Sequence, residues 1–545
     1  MNRPQGKGFN GWKTNNTNYS NSIITNRNNF VQTLSTNEKN IKNSSGEYVI
    51  DLYPDWIDAN VIFVSSYGSN YNDGKTADTP ISNDWNSISS KLNSNIKTCT
   101  NASNREANII VLTNGTLSYS GMTGPNTAYT LTSMYNGINY GSSSTYIDFS
   151  SNNGGWGYYD GSSVTLDSDL QLEYLYINSN VSYKNPNATT DGTDDAYPCI
   201  YGNMYNLRIG RGILPTSSNT CTLGQVQGGY YNHSSSEFKL VIESGKYYTL
   251  QLYRASTGTG TSNSLTANGT LVIGNDFDRK SNNNENLKIY NRMASKTTTA
   301  TNSPYTANNS KAFAIEMIVK SGTIGVDYFN SQSASDSSDR NYAGIYVGGH
   351  GQTGIDKSDR RLIVEGGNIA NLIGGLNIDS TDANNYKTYI YVKDGNIMNI
   401  TGGAGYTHTY GDRIIQVTGG CIKYSISGGS NGVAASTSTN NGQLTGNSLI
   451  YIGGDANIGA TYTKDSNGNK TITETSKDET LYGVNAGNVC GGANGNSRYA
   501  GQTDGSYIIL DGKAVIHNNI FGGGNYGIIG SPSGTTGPAI IDLRN

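Results

Sequence analysis

The C-terminal half of the chain repeats a short pattern, and no other feature restricts its possible folds as much. One unit reads Leu362-Ile363-Val364-Glu365-Gly366-Gly367-Asn368-Ile369, followed by Leu372-Ile373-Gly374-Gly375. The next reads Tyr389-Ile390-Tyr391-Val392-Lys393-Asp394-Gly395-Asn396-Ile397, followed by Ile400-Thr401-Gly402-Gly403. A third runs Ile414-Ile415-Gln416-Val417-Thr418-Gly419-Gly420-Cys421-Ile422, then Ile426-Ser427-Gly428-Gly429. The order returns in Tyr507-Ile508-Ile509-Leu510-Asp511-Gly512 and Ile520-Phe521-Gly522-Gly523-Gly524, with weaker copies at Leu240–Gly245 and Met317–Gly322. Each unit predicts a strand of about four residues, a glycine turn, a second short strand and a Gly-Gly corner. Such strands are too short to bury a core alone. Gly367, Gly395 and Gly420 lie 28 and 25 residues apart, a spacing that suits one solenoid coil per unit with equivalent strands paired in parallel.

Composition agrees with an array of this kind. Glycine (69) and asparagine (71) together make up about a quarter of the 545 residues. Glycine is expected at corners that need φ > 0, and asparagine there or in side-chain ladders between coils. Polar stretches such as Ser281-Asn282-Asn283-Asn284-Glu285-Asn286 are expected as loops thrown out from a coil corner. Proline is scarce (10) and tyrosine abundant (40), which favours strands over disorder. A net charge of −4 removes the simplest electrostatic reason to expect a nucleic-acid partner. No apolar run is long enough for a membrane span, and the first residues lack the apolar core of a signal peptide. The cysteines (Cys99, Cys199, Cys221, Cys421, Cys490) form no C-x-x-C pair and read as small buried apolar residues.

Upstream the rhythm weakens but persists in Ile109–Leu117 and in Leu170-Gln171-Leu172-Glu173-Tyr174-Leu175-Tyr176-Ile177, whose alternation predicts one buried and one wet face. Before these come Val61-Ile62-Phe63-Val64-Ser65, Asn72-Asp73-Gly74-Lys75-Thr76, Thr79-Pro80, and Trp85, Ile88 and Leu92 at helical spacing, with Asn83 or Asp84 placed to cap. The helix is expected to cover the first coil. This opening resembles the start of the pectin-lyase-like right-handed parallel β-helix superfamily. The resemblance implies a fold over about Asn60 to Asn545 but no single activity, because the superfamily includes lyases, hydrolases, phage tailspikes and adhesins. The Gly-Gly-cornered units resemble repeats of large bacterial cell-surface proteins. Gly8-Phe9-Asn10-Gly11-Trp12-Lys13-Thr14 and Tyr48-Val49-Ile50-Asp51-Leu52-Tyr53-Pro54-Asp55-Trp56 resemble the internalin-B-type repeat, with Pro54 where that family usually has Ala and with its first strand missing.

The expected fold is therefore all-β: a right-handed single-stranded parallel β-helix with an N-terminal capping helix and a small partial β-rich module before it. Residues 1–57 form the partial module and 58–545 the β-helix, with 58–105 the opening strand and capping helix and 106–545 the coils with inserted loops. The chain is expected to be a fragment, open at its C-terminal end, because Ala539-Ile540-Ile541-Asp542-Leu543 matches a unit-opening strand.

Chemistry is sparse. Polygalacturonase-like hydrolysis needs clustered aspartates and a Gly-His-Gly element. Here Gly349-His350-Gly351 and Asp194-Asp195 lie 155 residues apart. Pectate-lyase-like elimination needs Ca²⁺-binding carboxylates and a base, types present in Asp276-Phe277-Asp278-Arg279 and Asp356-Lys357-Ser358-Asp359-Arg360-Arg361. Both lie in polar stretches beside strands, where charges normally just solvate a loop. Gly453-Gly454-Asp455 has no second copy in register for a Ca²⁺-binding β-roll, and His233, His408 and His517 lack a second ligand at metal spacing. Tyr389, Tyr391 and Tyr451 read either as strand formers or as a row of rings suited to sugars. The function expected from the resemblances is non-catalytic: an extracellular surface or adhesin-type stalk or ligand-presenting segment, on a bacterial cell surface or cell wall. No catalytic residue, metal site or cofactor is assigned. Surface glycans or proteins of host or bacterium are the expected partners. A polysaccharide lyase or glycoside hydrolase is the alternative, and a tailspike-like receptor binder the third.

Overall fold

The computed structural model describes residues 7–14, 52–94, 108–119, 127–150, 164–179, 181, 199–203, 205–229, 237–254, 268–281, 283–298, 315–326, 343–348, 350–351, 359–375, 387–404, 409–430, 443–465, 468–481, 484–493, 502–524, 528–529 and 537–544. The chain divides into two compact units, one holding most of the residues up to Tyr176 and the other Ile177–Asn545 with two short earlier segments.

In the first unit, the two segments that carry the module resemblance pair antiparallel, Lys7–Thr14 with Leu52–Asp58, with Trp12 opposite Pro54. Parallel pairing begins immediately afterwards. Asn60–Ser65 pairs with Ile81–Ser82 and with Asn108–Ser118, which pairs with Tyr129–Thr132, and that strand pairs with Leu170–Glu173. The helix is Trp85–Ser94, packed on Asn60–Ser65 and Ile81–Ser82, with Ile88 and Leu92 fully buried. Asp84 is its cap, accepting the Ser87 amide at 2.9 Å. Burial opposes its ionisation, yet the hydrogen bonds from Ser87 prevail and hold the carboxyl below the ordinary aspartate value. The Leu170 strand departs from the expected alternation. Gln171 is 2% exposed and donates to Glu173, and the strand stops at Tyr174, whose φ is +51°.

In the second unit the repeat closes into a parallel β-helix. One sheet, the alternating sheet, stacks Leu207–Ile209, Glu237–Ile242, Asn268–Ile273, Ile315–Val319, Arg360–Val364, Thr388–Val392, Arg413–Val417, Gln443–Ile452, Gln502–Leu510 and Ala539–Leu543. Residues of one parity face the core and the other parity is half-buried, because a strand sends successive side chains to opposite faces. Register stacks like on like. One inward column reads Leu240, Leu271, Met317, Leu362, Ile390, Ile415, Ile450, Ile508. The other sheet includes Gly245–Arg254, Leu287–Thr298, Asn368–Ile373 and Asn396–Thr401, with almost every described side chain of the last two buried. Its inward column is Ile289, Ile324, Ile369, Ile397, Ile422, Ile458. Each such residue contributes about 1.5–3 kcal/mol by burial. The expected asparagine ladder is present where Asn396 Nδ2 donates to Asn368 Oδ1 at 3.4 Å, between coils.

The two kinds of glycine corner have different causes. Gly420 in the turn between sheets lies at φ +79°, and a Cβ there would also stand 2.6 Å from the Gly395 oxygen. The Gly-Gly corner does not need the left-handed region expected of it. Gly402 has an ordinary φ, but a Cβ would overlap the carbonyl of Gly428 in the next coil. Space, not dihedral preference, requires glycine there.

The inserts also depart from expectation, since two of them interrupt a strand instead of leaving from a corner. Asn457–Ile458 and Val489–Cys490 belong to one coil, continuing Cys421–Ile422 and Ile426–Ser427, and 460–486 lies between them. Thr323–Ile324 and Gly344–Tyr346 are split in the same way. The insert after Ile458 forms an antiparallel hairpin, Ala460–Lys464 with Lys470–Glu474.

Candidate functional site

Parity in the alternating sheet places a continuous surface opposite the core. One outward column runs Glu316, Arg361, Tyr389, Ile414, Leu449, Tyr507; its neighbour runs Ile318, Ile363, Tyr391, Gln416, Tyr451, Ile509. Strands about 4.8 Å apart make this a patch of aromatic and branched aliphatic side chains, with charged groups at its margins. The Tyr389 and Tyr391 ring centroids are 6.3 Å apart at 48°. The Tyr451 hydroxyl donates to Asp511 at 2.8 Å, and that bond to a carboxylate raises the phenol pKa. Burial and then the nearby Asp359 charge raise that of Tyr389. Both phenols are therefore neutral at ordinary pH. At one margin Arg361 pairs with Glu316; at another Lys387 pairs with Asp412 at 3.3 Å, which holds the lysine's pKa above its usual value. The patch offers flat apolar area with polar ring edges, which suits a sugar ring or an apolar side chain. Among the described residues it positions no nucleophile beside a base.

The charged stretches singled out in the sequence are used for structure. Asp276-Phe277-Asp278-Arg279 is not a solvated loop but the start of a short helix, Asp276–Ser281, capped by Asn275. Asn275 Oδ1 accepts the Asp278 amide at 2.9 Å, while Asp278, 4% exposed, accepts from Asn275 and Asn286 at 2.7 and 3.1 Å. Asp276 faces Lys320 and Arg279 at 2.6 and 2.9 Å; burial works against its charge, but these partners keep its pKa low.

The second stretch sends its residues in different directions. Asp359 accepts the Lys387 amide at 2.9 Å, Arg360 is buried and donates to the carbonyls of Val347 and Gly348, and Arg361 turns outward. Asp356, Lys357 and Ser358 lie outside the described residues, as do Asp194-Asp195, Gly349, His233 and His408, and nothing is described of the His350 side chain. Gly453-Gly454-Asp455 forms a turn, with Gly454 at φ +58° and the Asp455 amide on the Thr418 carbonyl. His517 Nδ1 is 3.4 Å from Glu474 Oε1, a contact to the hairpin. Among the described residues no group of three or more His, Cys, Asp or Glu could hold a metal ion. Cys221, Cys421 and Cys490 are buried free thiols, whereas the side chains of Cys99 and Cys199 are outside the described set.

No protein-family profile, no curated protein and no solved structure matches the chain. The site is therefore defined by its own chemistry.

The sequence reading missed one polar cluster, which fastens the hairpin to the coils. Asp394 accepts from Lys470 at 2.7 Å, Lys464 at 3.1 Å and the Gly395 amide at 2.7 Å. Its burial disfavours the charge, but these donors outweigh it and its pKa is lowered. Asn396 binds the Tyr462 backbone twice, accepting its N–H at 2.9 Å and donating to its carbonyl at 2.9 Å. Both lysines also lie against the Tyr462 ring, Lys464 at 5.3 Å and Lys470 at 4.7 Å from its centroid. A signal was present: Thr461-Tyr462-Thr463-Lys464 and Lys470-Thr471-Ile472-Thr473-Glu474 alternate on either side of a segment containing Asn467-Gly468.

Proposed function

We propose that the chain is a non-catalytic segment of an extracellular bacterial surface protein, a β-helical stalk that presents a recognition surface. The observation that carries this reading is where the charges go. Arg208 with Glu243, Lys320 with Asp276, Arg361 with Glu316 and Lys393 with Glu365 each join one coil to another, and Asp278 is consumed by a helix cap. An enzyme acting on acidic polysaccharide needs acid, base or metal carboxylates converging on open space. Here the outward face that remains is aromatic and aliphatic, a composition suited to recognition of glycans or proteins. Display outside the cell, and bacterial origin, rest on the sequence resemblance to cell-surface repeats.

The test is incubation of the chain with a panel of acidic and neutral polysaccharides, with and without Ca²⁺, following new reducing ends and unsaturated products. No turnover is expected, with retention of some polymers on the immobilised chain that weakens when Tyr391 and Tyr451 become alanine. Turnover that disappears in Asp278→Ala or Asp359→Ala would replace this reading with the lyase or hydrolase alternative.

A further inference from the structure

The hairpin inserted after Ile458 has one edge closed and one open. Asp465 donates to the Asn469 carbonyl and Thr475 to the Gly459 carbonyl, and these bonds bracket the register Thr461↔Thr473 and Thr463↔Thr471. Antiparallel bonding alternates, so the odd-numbered pairs exchange the bonds within the hairpin and the even-numbered residues direct their N–H and C=O groups away from it. On the coil side, Tyr462 meets Asn396, which satisfies both of its groups. On the other side Lys470, Ile472 and Glu474 present theirs outward, and among the described residues the hairpin is a two-stranded sheet with no third strand. All five residues of Lys470–Glu474 are exposed, with Ile472 at 41%.

We propose that this edge pairs with the same edge of a second copy of the chain, antiparallel about a two-fold axis through Ile472. The argument is the order of the five residues. Folded back on itself about Ile472, Lys-Thr-Ile-Thr-Glu sets Lys470 opposite Glu474 of the second copy, threonine opposite threonine and Ile472 opposite its own mate. Opposite charges facing across strands favour such pairing. An in-register parallel pairing would instead place lysine on lysine and glutamate on glutamate. Many exposed edges are protected by like charges that repel any copy of themselves; this edge carries one charge of each sign, symmetrically about its centre, and because Lys470 is already paired with Asp394 and Glu474 lies 3.4 Å from His517 within one copy, the symmetry sets the direction of pairing more than its strength. The bonding parity agrees as well, since Ile472 is an outward-bonding residue and can exchange two hydrogen bonds with its mate on the axis. Two five-residue strands cover less than the roughly 1,200 Å² of a stable interface, so the association is weak and reversible.

Cysteine cross-linking and sedimentation of the full chain test this. In a hydrogen-bonded antiparallel pair the Cα atoms are about 5.5 Å apart, inside the range a disulfide spans. Ile472→Cys is therefore expected to give a covalent dimer under mild oxidation. Thr473→Cys, whose symmetry mate lies two residues farther along the strand, is expected to form no covalent dimer. Ile472→Pro removes an outward N–H and no bond within the hairpin, so the hairpin is kept; the concentration-dependent rise in sedimentation mass expected of the unchanged chain should disappear. Equal cross-linking of the two cysteine variants, a sedimentation mass unaffected by Ile472→Pro, or an unchanged chain that is monomeric up to its solubility limit would each overturn the proposal.

Discussion

Alanine substitution at three glycines separates the two reasons for which this fold uses the residue. Gly468, in the hairpin loop, lies at φ +84° with nothing within 4 Å of a Cβ. Gly402 has an ordinary φ, but its Cβ would overlap the Gly428 carbonyl. Gly420 combines both conditions: φ +79°, with the Gly395 oxygen and nitrogen at 2.6 and 2.9 Å. Left-handed strain costs a residue with a Cβ about 1–2 kcal/mol. Backbone displacement at Gly420 threatens the bond from the Cys421 amide to that same Gly395 oxygen, 2.9 Å long, and a buried bond left unmade costs about 1–3 kcal/mol. The expected order of destabilisation is about 1–2 kcal/mol at Gly468, about 1–3 at Gly402 and about 2–5 at Gly420. Because long repeat arrays need not unfold in one step, the assay is hydrogen exchange resolved by segment, read at the amides of 396–401 and 421–427. Loss of protection should be local to the coil for Gly402 and Gly420, and confined to the hairpin for Gly468. If Gly468→Ala loosened the coils as much as Gly420→Ala, the stacking argument would be refuted, since φ alone would then account for the glycines.

The Asp394 clasp makes the hairpin acid-sensitive. A carboxyl whose folded pKa lies below the unfolded value near 3.8 stabilises fully above that value and loses its contribution as pH falls through the folded one. Hairpin amides should therefore keep their protection at pH 5 and above and begin to lose it as pH falls below about 3.8, whereas Asp394→Asn, uncharged at every pH, should be less protected at pH 5 and show little pH dependence; pH-independent exchange of the unchanged chain would contradict the pairing. Cys421, 1% exposed and with its thiol pushed up to about 11 by burial, should resist a thiol reagent at pH 8 until denaturant is added, as mapped by peptide mass spectrometry. Cys421 packs against Ala460 and Tyr462 of the hairpin, so labelling in the native state would show that the hairpin opens readily.

Local periodicity determined much of this protein. Leu362, Ile390 and Ile415 could be aligned because each lies in a strand a fixed number of residues before a glycine, and stacking coils requires that like positions meet. The helix at Trp85 was legible for the same reason, with its cap narrowed to Asn83 or Asp84: every group involved lies within about ten residues, and the structure chooses Asp84. The destination of the charges was not legible. Asp394 meets Lys470, 76 residues away, and Glu316 meets Arg361, 45 residues away, so the sequence shows only polar residues beside strands, and coil stacking chooses their partners. Arg360, which lay in a stretch expected to solvate a loop, and Arg413, which the sequence did not single out, are buried, because their position at the start of each strand directs them to nearby carbonyls: Val347 and Gly348 for Arg360, Tyr410 and Asp412 for Arg413. The reason for the Gly-Gly corners was hidden in the same way. A sequence records that glycine is present at 402, but only the approach of the Gly428 carbonyl from the neighbouring coil shows that what the position needs is space.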